Sequence, residues 1–106
     1  MNKEKQTLII YRHIISDLAE FNPEKIILFG SYARGDCDEE SDIDIIVVYQ
    51  TEKKFLDRLE ELYMKWNLAK AVDILAYTPD EFTHMMKDNY FLKQAVEEGV
   101  IIYERS

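Results

Sequence analysis

Between Lys5 and Phe21 the apolar residues Leu8, Tyr11, Ile14, Ile15, Leu18 and Phe21 recur at three- and four-residue steps, which predicts an amphipathic helix. Asn22-Pro23 breaks it. Lys25 to Phe29 (KIILF) is a short apolar run ending at Gly30 and reads as a buried strand. Ser31 to Ser41 is polar and rich in Gly and Asp, the pattern of a loop or a short helix start. Asp42 to Tyr49 (DIDIIVVY) is β-branched and apolar after its first residues, the strongest strand signal in the chain. Thr51 is placed to cap a second helix running to about Trp66, with Phe55, Leu59, Leu62, Tyr63 and Trp66 on one stripe. Ala71 to Tyr77 (AVDILAY) predicts a third strand. Thr78-Pro79-Asp80-Glu81 then offers an N-cap, a proline at the first helical position and a glutamate three residues after the cap, which together start a helix. That helical pattern continues to about Glu98 with a break near Asn89. Gly99 stops it, and Val100 to Tyr103 (VIIY) forms a last strand.

The chain has 106 residues, a length that predicts a single domain spanning residues 1–106. It is 47% hydrophobic and 32% charged, as folded globular chains are. No apolar run approaches the ~20 residues that cross a bilayer. The Met1-Asn2-Lys3-Glu4-Lys5 start leads into a mixed polar and apolar segment unlike a secretory signal, so a cytoplasmic location is expected. The one cysteine, Cys37, excludes an intrachain disulfide and reads as a surface thiol. The formal net charge of −8 argues against direct nucleic-acid binding through a broad basic face. An acidic chain that handles a triphosphate needs divalent cations to offset repulsion, and that need directs attention to the acids.

Two stretches stand out, Gly30-Ser31-Tyr32-Ala33-Arg34-Gly35 and Ser41-Asp42-Ile43-Asp44. A strand ending in Gly-Ser can seat a phosphate, because Gly admits close backbone approach and Ser donates a hydroxyl. It also reads as an ordinary strand-ending turn. Asp42 and Asp44 are two residues apart, so on a strand their side chains share a face. Such a pair repels unless a divalent cation such as Mg²⁺ joins it; alternatively, Asp42 caps a turn and Asp44 lies exposed at an edge. Asp73 interrupts an apolar strand between Val72 and Ile74, which suits a metal, a partner or solvent at a sheet edge. Beside the Asp42–Tyr49 strand it would complete a three-carboxylate cluster. Arg34 reads equally as a phosphate contact and as a solvated loop residue. Ser41 braces the aspartate turn.

The combined pattern, GSxxRG, five intervening residues and SDxD, resembles the signature of the polymerase β nucleotidyltransferase superfamily. Ala33-Arg34-Gly35 further resembles its minimal nucleotidyltransferase branch, which includes the antitoxin partners of HEPN-domain toxins. The resemblance is close over the motif and looser over the rest of the chain. It implies an α+β fold with a small mixed β-sheet flanked by helices. It also implies that Gly30 and Ser31 hold the nucleotide's β and γ phosphates, that Asp42 and Asp44 bind two Mg²⁺ ions, and that Asp73 binds the catalytic one and helps deprotonate the attacking hydroxyl. The implied reaction moves AMP from ATP to a tyrosine hydroxyl of the toxin.

So short a chain leaves few residues for an acceptor pocket, so the acceptor is expected to come from another chain or from a second copy in a homo-oligomer. Two further readings remain open at this point: an antitoxin that acts by binding alone, and transfer to a small molecule such as an aminoglycoside. His13 and His84 have no partner at metal-ligand spacing and read as structural or surface residues. Phe82, Met85 and Met86 read as core.

Overall fold

A computed structural model describes residues 3–105, with side chains from Lys5 to Arg105. The chain runs α1 (Lys3–Leu18), a 3-10 turn (Ala19–Phe21), β1 (Lys25–Phe29), α2 (Ser31–Arg34), β2 (Ile43–Val48), α3 (Phe55–Lys65), β3 (Val72–Tyr77), α4 (Pro79–Asp88), α5 (Tyr90–Glu98) and β4 (Val100–Glu104). The strands form one mixed sheet in the order β3-β2-β1-β4. β1 runs antiparallel to both β2 and β4, and β2 runs parallel to β3. A parallel pair cannot be closed by a tight turn, and α3 supplies the crossover between β2 and β3.

Strand alternation divides the core in two. Ile26 and Leu28 of β1, Ile43, Ile45 and Val47 of β2, and Val72, Ile74 and Ala76 of β3 face one side, against Ile14 and Leu18 of α1 and Leu62 of α3. Ile27, Ile46 and Val48 face the other, against Leu92 and Ala95 of α5, with Phe82, Met85 and Met86 of α4 packed alongside. Covered on both faces, β2 needs the near-continuous apolar run seen in its sequence; its one half-buried residue is Asp44.

Several boundaries depart from the sequence reading. Thr51 does not cap α3: the helix starts at Phe55 with Lys54 as N-cap and no side-chain cap, while Thr51 Oγ1 accepts a bond from Lys53 N (3.1 Å). β2 begins at Ile43, leaving Asp42 just outside it, and β3 begins at Val72. α1 yields to the 3-10 turn after Leu18, and Asn22 then takes a left-handed conformation (φ +50°), which a short amide side chain tolerates. Leu8, assigned to the apolar stripe, is 56% exposed. Gly99 ends α5 without a left-handed turn (φ −83°). Its role is close approach, since a Cβ there would lie 2.7 Å from Ala95 O and 2.8 Å from Leu28 O. The break near Asn89 is present: its side chain caps α5 by accepting from Leu92 N (2.9 Å). Thr78 and Glu81 form the expected capping box of α4.

Arg58 is the one buried charged residue among the described residues, at 7% exposure. Its guanidinium grips the Glu81 carboxylate through two bonds (2.6 and 3.1 Å) and also donates to Lys53 O (2.7 Å) and Ala76 O (3.2 Å). The bond from Arg58 holds the Glu81 carboxyl below its ordinary range despite some burial. A lowered pKa makes this contribution complete above the unfolded value near 4.5 and removes it as pH falls through the folded value. Glu81→Gln keeps the capping reach to Thr78 N, so it isolates the ion pair. Its expected cost at neutral pH is about 1 kcal/mol, held low because the Glu81 side chain is 44% exposed. Denaturant unfolding of the two forms should differ at neutral pH and converge in acid.

Candidate active site

The site begins where β1 ends. Gly30 turns the chain into α2 with φ +73° and ψ −152°, a conformation open mainly to glycine. A Cβ at this position would also overlap Asp44 Oδ2, so two separate constraints exclude other residues. Gly30 O accepts from Ala33 N and Arg34 N (both 3.1 Å), and Ser31 O accepts from Gly35 N (3.0 Å) and Asp36 N (3.1 Å). Gly35, at φ +85°, closes the turn. Ser31 therefore follows directly on the residue that the Asp44 carboxylate touches.

The acids lie across the sheet from this turn. Phe29 of β1 is in register with Asp44 of β2, and Asp44 with Asp73 of β3. Residues in register share a face, here the α4/α5 face, at the end of the strands. Asp44 and Asp73 stand side by side on adjacent strands, so each carboxylate lies in the field of the other. Burial raises the Asp44 pKa above the ordinary carboxylate value; the charge of Asp73, a bond with it and the charge of Asp42 raise it further, and the charge of Arg34 partly offsets this. The structure thus sets Asp44 and Asp73 in register, while Asp42 lies just outside β2 and adds its charge. Asp42 and Asp73 are exposed and Asp44 is half-buried.

Among the described residues no three Asp, Glu, His or Cys side chains form a ready-made metal cage. Mg²⁺ does not require one, since it commonly takes one or two carboxylates and completes its shell with substrate phosphates and water. Two hard anionic groups pressed together beside a glycine turn fit that donor set. Arg34 Nε donates to Asp36 Oδ2 (3.2 Å), and both side chains are at least half exposed; its charge nonetheless reaches Asp44. Ser41 Oγ accepts from Asp38 N (2.9 Å) and donates to Asp38 Oδ1 (3.2 Å), bracing the acidic loop as expected.

Sequence reasoning gave no role to Phe91. Its ring stands edge-on to Phe29 (6.3 Å between centroids, 88° between planes), and both line a groove with Gly30, Arg34 and Gln94 beside the acid row. An aromatic residue in the first turn of a helix carries no signal of such a place. A larger hollow, lined by Phe55, Arg58, Tyr77, Glu81 and His84, lies at the opposite ends of β2 and β3, away from the acids.

A short mixed sheet with a Gly-Ser turn facing an in-register pair of aspartates defines a nucleotidyltransferase class of fold. The chain belongs to the polymerase beta nucleotidyltransferase family, whose model matches residues 12–106. It is 43% identical over 81 residues to a provisionally named protein adenylyltransferase of Methanocaldococcus jannaschii, covering 76% of this chain and 78% of that one. Its fold matches the crystal structure of a toxin–antitoxin with AMP-PNP at a TM-score of 0.66 and 28% identity, covering 91% of this chain and 74% of that one. It also matches a toxin–antitoxin MntA–HpeT variant in which two aspartates two positions apart are changed to glutamate (TM-score 0.64, 26% identity, 91% and 74% coverage).

Because folding raises the Asp44 pKa, its ionised form opposes folding at neutral pH, and that opposition fades as pH falls through the folded value. In metal-free buffer Asp44→Asn should therefore stabilise the fold at neutral pH, by roughly 0.2–1 kcal/mol, as relief of a like-charge cross-strand pair does. Thermal melts of the two forms check the sign. A destabilised variant would show that Asp44 is not under repulsion.

Proposed function

We propose that the chain is a Mg²⁺-dependent nucleotidyltransferase that moves AMP from ATP to a tyrosine hydroxyl of a HEPN-type toxin, acting as its antitoxin in the cytoplasm. The observation that carries this reading is the register Asp44–Asp73 against the Gly30-Ser31 turn. The relatives support it: one is named for protein adenylylation, one is a toxin–antitoxin with an ATP analogue, and one carries paired aspartate substitutions at the spacing of Asp42 and Asp44.

In this reading Gly30 lets the backbone approach the triphosphate, the Ser31 hydroxyl donates to its β and γ phosphate oxygens, and Arg34 adds charge. Asp42 and Asp44 would hold two Mg²⁺ ions, and Asp73 would share in holding one of them. When bound, the ions offset the charge of the triphosphate and of the departing pyrophosphate. The tyrosine oxygen attacks the α-phosphorus, and the bond from that phosphorus to the pyrophosphate oxygen breaks as the new one forms. Asp73 takes the hydroxyl proton. The products are O-adenylyl-tyrosine and pyrophosphate. The acceptor is a protein because the acids lie at the open end of the sheet, where a second chain can reach them.

The test is to incubate the chain with Mg²⁺, ATP labelled at the α-phosphate and the protein encoded by the adjacent gene. Label should appear on a tyrosine of that protein, disappear with EDTA, and fall by at least about 100-fold with Asp44→Asn. Tight complex formation without label would replace this reading with one of antitoxin action by binding alone. Label on an added aminoglycoside instead would replace the protein acceptor with a small one.

A further inference from the structure

We infer that Tyr63, on α3, is a positioning residue for Asp73; this rests on the role given to Asp73 above. β3 is an outer strand of the sheet. Along a strand, the carbonyl of one residue and the N–H two residues later point to the same side. Val72 C=O and Ile74 N–H therefore form the outward pair that flanks Asp73. A single hydroxyl serves both: Tyr63 Oη donates to Val72 O (3.1 Å) and accepts from Ile74 N (3.2 Å). It stands where a neighbouring strand would otherwise pair.

The same stretch is also held from just past the end of α3, where Trp66 Nε1 donates to Lys70 O (3.0 Å). The Asp17 carboxylate of α1 accepts from Asn67 N (2.8 Å) and Leu68 N (3.2 Å). The backbone leading into Asp73 is thus held at positions 67, 68, 70, 72 and 74 by the side chains of Asp17, Trp66 and Tyr63, and Tyr63 provides the two bonds that bracket the acid itself.

The physical need follows from the repulsion. Asp44 sits on a central strand packed on both faces, whereas Asp73 sits on an edge strand. Mutual repulsion between the carboxylates therefore displaces the edge strand, outward and away from β2. The Tyr63 hydroxyl opposes that movement at the point where it begins. Blocking a bare strand edge against other chains is the purely structural alternative, and the two differ in what they do to turnover.

The experiment compares Tyr63→Phe with Tyr49→Phe. Tyr49→Phe likewise removes one tyrosine hydroxyl, which donates to Glu61 (2.8 Å), but beyond the far end of β2. Label transfer to the adjacent-gene protein is measured, together with amide hydrogen exchange in the free chain. Tyr63→Phe should lower kcat by about tenfold, as loss of a supporting shell does, with KM for ATP held within about twofold. Exchange should speed up at Ile74 and stay unchanged at Ile45 and Ile46. Tyr49→Phe should leave kcat unchanged. The inference is overturned by an unchanged kcat in Tyr63→Phe, by an equal kcat loss in Tyr49→Phe, or by exchange that speeds up throughout the sheet. If Asp44→Asn abolishes transfer while Tyr63→Phe is fully active, only this inference fails; if Asp44→Asn remains active, the reading of the site fails with it.

Discussion

The parallel register that sets Asp44 beside Asp73 is the constraint around which the rest of the molecule is arranged. Two carboxylates on one face of neighbouring strands repel, and no local feature of β2 or β3 would choose to pair them. The pairing persists because both strands bury apolar residues along the rest of their length. Ile45 and Val47 face α1 and α3, Ile46 and Val48 face α5, and Ile74 and Ala76 join the first group. The hydrophobic effect acts along whole strands, whereas the repulsion acts at one end.

The two cores also separate tasks. The face covered by α1 and α3 carries most of the buried residues. The face covered by α4 and α5 closes over the middle of the sheet, with Phe91 of α5 against Phe29 beside Gly30, and leaves Asp44 half-buried and Asp73 exposed. The same alternation that buries Ile43 and Ile45 on one side presents Asp44 on the other. A shift of one residue in the register of β2 would exchange the two sets, burying the carboxylate and exposing isoleucine.

Much of this was legible in the sequence. Apolar runs located all four strands, Asn22-Pro23 and Asn89 marked breaks, and the Thr78–Glu81 pattern started α4 as its chemistry dictates. Gly30 was legible as a glycine that permits close approach, although its neighbour turned out to be Asp44 itself. What escaped the sequence depends on contacts between distant segments. Arg58 lies on the apolar stripe, three residues after Phe55 and four before Leu62, but its burial becomes affordable only once Glu81, 23 residues later, meets it. Tyr63 read as part of a greasy stripe, yet the residue is 42% exposed and its hydroxyl is the informative atom. Thr51 offered good capping chemistry, and the loop spent it on Lys53 instead.

The Arg58–Glu81 pair and the acid row sit at opposite ends of the same two strands. One end is clamped by attraction and the other is loaded with like charge. Thermal fraying of β2 and β3 should therefore start at the aspartates and run toward the arginine, like a zip opened from its free end. Any cation that settles among the aspartates would close that zip, so occupancy of the site and rigidity of the sheet would rise together.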